Sequence, residues 1–171
     1  MLRAGLPAST PLNLTACLLS GIFQREITSW DDAAILAVNP ELSPFLEADA
    51  PISVIRRRLG SSSTAGMSQY LLEATQNDPS CPTRWVIGAG KGGELSDEGE
   101  CVKPPCWPSD TIQAEGSGGV SGALDTVPYA IGYVDVGHGR SANLHVRRRA
   151  TRDEPALGLW QNLRGHASVW K

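Results

Sequence analysis

Ile52-Ser53-Val54-Ile55-Arg56-Arg57-Arg58-Leu59-Gly60-Ser61-Ser62-Ser63-Thr64 is the stretch on which the reading of the whole chain turns. Its first four residues, mostly apolar and β-branched, predict a short buried strand. Three arginines follow, and Gly60 then permits a tight turn. Ser61, Ser62 and Ser63 stand where a helix would begin. Met67, Tyr70, Leu71 and Ala74 support that helix, because their spacing gathers them on one face. Strand, turn, hydroxyls and helix start together make an anion site. The first N–H groups of a helix lack internal partners, and the macrodipole is positive there. Hydroxyls add donors, and an arginine adds charge and a two-pronged fork. The same residues also fit a capped helix behind a strand, with arginines in solvent. Spacing alone does not separate the two.

The rest of the composition narrows the classes. With 171 residues, 41% of them hydrophobic and 19% charged, the chain can bury one domain's core. A net charge of −3 gives no reason to expect nucleic acid or an anionic membrane as partner. No apolar run approaches the roughly 20 residues of a membrane span, so no membrane insertion is expected. Pro7, Pro11 and Asn13 interrupt the leucines of the first 21 residues, which makes a poor signal peptide. If the protein is exported, the signal lies outside this sequence.

The four cysteines, Cys17, Cys81, Cys101 and Cys106, allow three pairings. Cys101 and Cys106 flank Val102-Lys103-Pro104-Pro105, and a local disulfide between them is the expectation. A metal site is the rival, but His138, His145 and His166 are scattered and supply no ligand pair.

Leu18, Leu19, Ile22 and Phe23 predict a short helix, and Ser29 with Asp32 predicts the cap of a second one over Asp31 to Val38, stopped by Asn39-Pro40. Glu41 to Pro51 reads as loop. The helix after Gly60 is expected to end near Gln76-Asn77-Asp78-Pro79, and Trp85-Val86-Ile87 reads as a short strand. From Gly88 to Gly116 no period is visible, which suggests a loop insertion. Ser117 opens a helix carrying Val120, Leu124 and Val127, Pro128 ends it, and Ala130 to Val134 is a strand. Alternating strands and helices argue an α/β fold with some parallel pairing. Residues 145–171, with their arginine run, are expected to be a poorly packed tail.

Two catalytic patterns fail. Gly88-Ala89-Gly90-Lys91-Gly92-Gly93 fits a dinucleotide fingerprint, but no amphipathic helix follows it. No G-x-S-x-G elbow surrounds Ser61, Ser62, Ser63 or Ser121. No cofactor is expected.

Several stretches, in one order, resemble the PstS family of phosphate-binding proteins that serve ABC transporters. Residues Leu18 to Asp32 resemble "L-x-x-I-F-x-G-K-I-x-x-W-x-D", and Ala37-Val38-Asn39-Pro40 resembles "L-N-P". Ile52 to Thr64 resembles "I-x-V-V-x-R-x-D-G-S-G-T", and Trp107-Pro108 the "W-P" pair. Gly116 to Val120 resembles "G-N-D-G-V", and Pro128 to Asp135 "P-G-A-I-G-Y-V-E". The resemblance runs from about Leu12 to Gly139.

It implies one lobe of a periplasmic-binding-protein-like fold: an α/β lobe over residues 1–144, a mixed sheet flanked by helices, with an insertion at about 88–116. It implies binding of inorganic phosphate without reaction, by Arg57, Ser61, Ser62 and Ser63. Leu59 stands where the family has the aspartate that holds the arginine, and Ser62 replaces its glycine. The family's other lobe has no counterpart in these residues, so that lobe and a membrane transporter are the implied partners. The implied location is extracellular or periplasmic. The competing reading is a diverged extracellular interaction module that kept the fold and not the ligand.

Overall fold

A computed structural model describes residues 12–46, 50–87, 106–135, 137–138, 146–147 and 157–161. Helix α1 (Ala16–Phe23) starts at Thr15, whose side chain accepts from the Leu18 N–H. Helix α2 (Ala33–Val38) starts at Asp32, which accepts from the Ala34 N–H. The cap is therefore Asp32 and not Ser29, whose hydroxyl donates instead to the Ala50 carbonyl. A 3-10 turn over Pro40–Phe45 occupies the first part of the expected loop.

Strand β1 (Ser53–Arg57) is followed by α3 (Ser62–Gln76), β2 (Ile112–Ala114), α4 (Gly116–Thr126), β3 (Ala130–Asp135), β4 (Val146–Arg147) and β5 (Leu157–Gln161). The sheet order is β2-β1-β3-β5-β4. β1 runs parallel to both β2 and β3, and β5 lies antiparallel between β3 and β4. This is the mixed α/β lobe expected from the sequence.

Strand alternation divides the core. Ile52 and Val54 of the β1 segment, with Ile131 and Tyr133 of β3, join Leu19, Ile22 and Phe23 of α1 and Met67 and Leu71 of α3. Ile55, Ala130 and Val134 face the other way, onto Val120 and Leu124 of α4. Gly132 makes the β1–β3 approach possible, since a Cβ there would meet the Ile55 carbonyl oxygen at 3.0 Å. Helix α1 is tied to the loop that follows α3 by a Cys17–Cys81 disulfide spanning 64 residues, with Cα atoms 5.5 Å apart.

Several expectations change. Residues 85–87 form no strand: the Trp85 N–H donates to Thr75 Oγ1 and the Val86 N–H to Gln24 Oε1. Side chains thus take the amides a strand partner would need, although Trp85 and Ile87 are buried. The stretch read as insertion contains β2 in its last part, where Ile112 to Ala114 align with Ile55 to Arg57. Three residues are too few to show a period. Within the segment read as a tail, residues 157–161 add a strand to the sheet, since β5 pairs with β3 from Ile131↔Gln161 to Asp135↔Leu157. Leu157-Gly158-Leu159-Trp160-Gln161 is a strand-length run that the preceding arginines overshadow. The Cys17–Cys81 bridge had no local signal. Cys106 is also disulfide-bonded, while Cys101 and the glycine-rich fingerprint at 88–93 fall outside the described residues.

Candidate functional site

The parallel strands β1 and β2 each deliver the chain to a helix start at the same edge of the sheet. At the first of these, Ser61 is extended and caps α3, its Oγ accepting the Thr64 N–H at 3.1 Å. The Ala65 N–H goes to the Ser61 carbonyl. The N–H groups of Ser62 and Ser63 are those a capped helix leaves over for a ligand. Ser62 is exposed, Ser61 half-buried and Ser63 buried. The three serines therefore stand together at the helix start, as the sequence suggested.

Arg57 ends β1, and its backbone N–H donates to Tyr133 Oη at 3.3 Å. Its guanidinium lies close enough to oppose the upward shift of the Tyr133 phenol. Arg57 Nε is buried and makes no hydrogen bond, which is a cost unless a ligand supplies the acceptor.

The neighbouring arginines are engaged elsewhere. Arg56 is buried, with Nε donating to Thr111 Oγ1 at 2.9 Å and Nη1 to the Arg57 carbonyl at 3.1 Å. Its guanidinium sits 5.7 Å from the centre of the Trp107 ring. Burial lowers its pKa from the ordinary arginine value, partly offset by Tyr133. Arg58 is exposed and reaches toward Glu115 at 3.9 Å.

Two residues that sequence reasoning missed complete the site. Thr64 Oγ1 lies 2.8 Å from Ser61 Oγ and 2.7 Å from Tyr133 Oη. Burial raises the Tyr133 pKa; hydrogen bonds with Thr64 and the Arg57 N–H, and the two nearby guanidiniums, pull the other way. The signal was available in the strand Ala130 to Val134: Tyr133 shares the parity of Ile131, so it faces α3.

A serine–histidine contact does exist elsewhere, between Ser121 Oγ and His138 Nε2 at 2.8 Å. The Ser121 hydroxyl already donates to the Ser117 carbonyl at 2.9 Å, so the imidazole is the donor there. That is the reverse of what an activated nucleophile requires.

A family model described as "PBP superfamily domain" matches residues 5–156. The chain belongs to the PBP superfamily. Among its relatives is a protein named "Phosphate-binding protein PstS" from Xylella fastidiosa, 28% identical over 149 residues, which cover 87% of this chain and 34% of the relative. A protein of the same name from Haemophilus influenzae is 32% identical over 141 residues, 81% of this chain and 36% of the relative. One from Methanocaldococcus jannaschii is 27% identical over 139 residues, 79% and 31%. These relatives support the PstS-like reading of the motifs. The chain spans about a third of the length of each.

The two non-glycine residues with positive φ among the described residues fall on glycines of the PstS-like motifs. Arg25, at φ 63°, takes the glycine position of "I-F-x-G-K-I", and Tyr129, at φ 55°, that of "P-G-A-I-G-Y". A non-glycine residue in this left-handed region costs roughly 1 kcal/mol or more at each position. Arg25 offsets this by donating from Nε to Asp110 and from Nη1 to the Ile52 carbonyl at 2.7 Å. The Tyr129 carbonyl accepts from the Trp30 indole at 3.0 Å and from the Ser53 N–H.

Proposed function

We propose that this chain is one lobe of an extracytoplasmic solute-binding protein and that inorganic phosphate binds at the start of α3. Arg57 supplies charge, the Ser62 and Ser63 N–H groups supply backbone donors, and the serine hydroxyls complete the set. The observation that supports this reading is the buried Arg57 Nε without a partner, on the residue that ends β1 just before a serine-rich helix start. The action is binding and release, with no bond made or broken.

A single lobe leaves much of the ion in water, which competes for its oxygens and weakens the charge attraction. The second lobe, contributed from outside these residues, closes over the ion, and a membrane transporter receives it. The Cys17–Cys81 bridge suits an oxidising compartment. No helix among the described residues is long and apolar enough to cross a membrane.

Titration calorimetry of the 171-residue chain with phosphate and with sulfate tests this. Binding near millimolar, roughly −4 kcal/mol, with little preference between the two anions, is expected. No heat with phosphate at tens of millimolar would overturn the assignment.

A further inference from the structure

Three hydroxyls run inward from the α3 start, Ser61 to Thr64 to Tyr133, through contacts of 2.8 and 2.7 Å. Each hydroxyl has one proton, and the two contacts consume two of the three. The remaining proton must lie somewhere. Two backbone N–H groups, which can only donate, constrain the ends: Arg57 N–H onto Tyr133 Oη, and Thr64 N–H onto Ser61 Oγ.

Consider the three ways to orient the chain. If Ser61 donates to Thr64 and Thr64 to Tyr133, the phenol proton is left over on a side chain only 1% exposed. If Ser61 and Tyr133 both donate to Thr64, the spare proton is that of Thr64, also 1% exposed. Neither hydroxyl has a further acceptor among the described residues, so either arrangement buries an unpaired donor. If Tyr133 donates to Thr64 and Thr64 to Ser61, every buried proton is used. The spare proton then sits on half-buried Ser61, at the mouth of the site. Burial also keeps the phenol protonated through neutral pH, so it can fill this role.

We propose that Tyr133 and Thr64 are positioning residues that hold the Ser61 hydroxyl as a hydrogen-bond donor toward the bound oxyanion. This rests on the reading of the α3 start as an oxyanion site. It adds that Ser61 cannot turn round to accept without stranding a buried proton. The site therefore demands an unprotonated oxygen at Ser61, and a ligand offering a hydroxyl there is disfavoured.

Phosphate titration of variants gives one test. Ser61→Ala and Tyr133→Phe are each expected to weaken binding about fivefold, the worth of one ordinary hydrogen bond. The double variant is expected to bind no more weakly than Ser61→Ala alone, because Tyr133 acts only through that hydroxyl. Thr64→Ser keeps the relay and the affinity; Thr64→Val loses both. Losses that add in full would show that Tyr133 works through the fold, and would overturn the proposal. Hydroxyl-proton exchange by NMR, without ligand, gives a second test. Slow exchange at Tyr133 and Thr64 with fast exchange at Ser61 is expected, and the opposite order overturns the relay. If the slow protons are found but phosphate does not bind, the oxyanion reading falls while the hydroxyl order stands.

Discussion

Two helix starts stand side by side at one edge of the sheet, and they are finished in opposite ways. α3 begins with a serine whose hydroxyl caps the helix, followed by two more serines and flanked by Arg57 with its unpartnered Nε. α4 begins at Glu115, which makes no side-chain cap bond, and turns through Gly116 at φ 63°. At α4 the protein supplies its own anions. Glu115 and Asp135 both stand close, and the Ser117 hydroxyl donates to Asp135 at 3.3 Å. Consecutive arginines differ as well: the Arg57 backbone N–H meets Tyr133 Oη, while the Arg58 side chain reaches toward Glu115. A parallel strand followed by a helix produces a positive helix end whatever the sequence. The residues decide whether that end is left for a ligand or answered from within.

The strongest way to break this contrast is to loosen the α3 side alone. The Cys17–Cys81 bridge closes a loop of 64 residues that contains β1 and all of α3 but not α4. The chain-entropy account puts its removal at roughly 4 kcal/mol. Replacing both cysteines by serine is expected to lower urea-unfolding stability by about that amount, with native-state hydrogen exchange rising most in α3. Equal acceleration in α3 and α4 would show that the two starts rest on one common support.

A sharper cut compares the two arginines. Arg57→Ala is expected to weaken phosphate binding by about 1.5–3 kcal/mol, the range for hydrogen bonds to a charged group. Arg58→Ala is expected to change it by less than about 0.5 kcal/mol, because the Arg58–Glu115 pair is exposed and long. Calorimetry on both variants decides this. Loss on Arg56→Ala with Arg57→Ala unchanged would assign the anion to the other face of β1.

The same contrast explains what could be read in advance. The β1–turn–α3 unit was legible because its signals are local: a β-branched run, one glycine, serines and a helical apolar spacing. Arg57 and the serines followed from that register. Tyr133 and Thr64 were missed as site residues because their role depends on two hydroxyls meeting across 69 positions of sequence. β2 is too short to show alternation, and its partner among the described residues, β1, is distant in sequence. The Cys17–Cys81 pairing was open for the same reason: four cysteines fix a count, and only the packing of α1 against α3 fixes a partner. Arg25 and Tyr129 were hidden differently, since a non-glycine residue gives no hint that its φ is positive.

The smallest effect is expected at the α4 start, and it depends on pH. The Asp135 carboxylate accepts the His138 N–H at 2.8 Å and the Ser117 hydroxyl, and the His138 amide does most to hold its pKa below the ordinary carboxylate value. A group depressed in the folded state contributes stability above its unfolded pKa, near ~3.9 for aspartate. That contribution is lost as pH falls through the lower, folded value. Asp135 is largely solvent-exposed, so screening keeps the term small. Asp135→Asn keeps an acceptor for the His138 N–H but cannot titrate. Urea unfolding between pH 6 and pH 3 should therefore show wild type losing slightly more stability than the variant below about pH 4. Phosphate affinity should be the same in both, because this carboxylate answers the α4 start and not the α3 start. If Asp135→Asn instead strengthens phosphate binding and creates a second site, α4 was an anion cradle held shut by its own carboxylate.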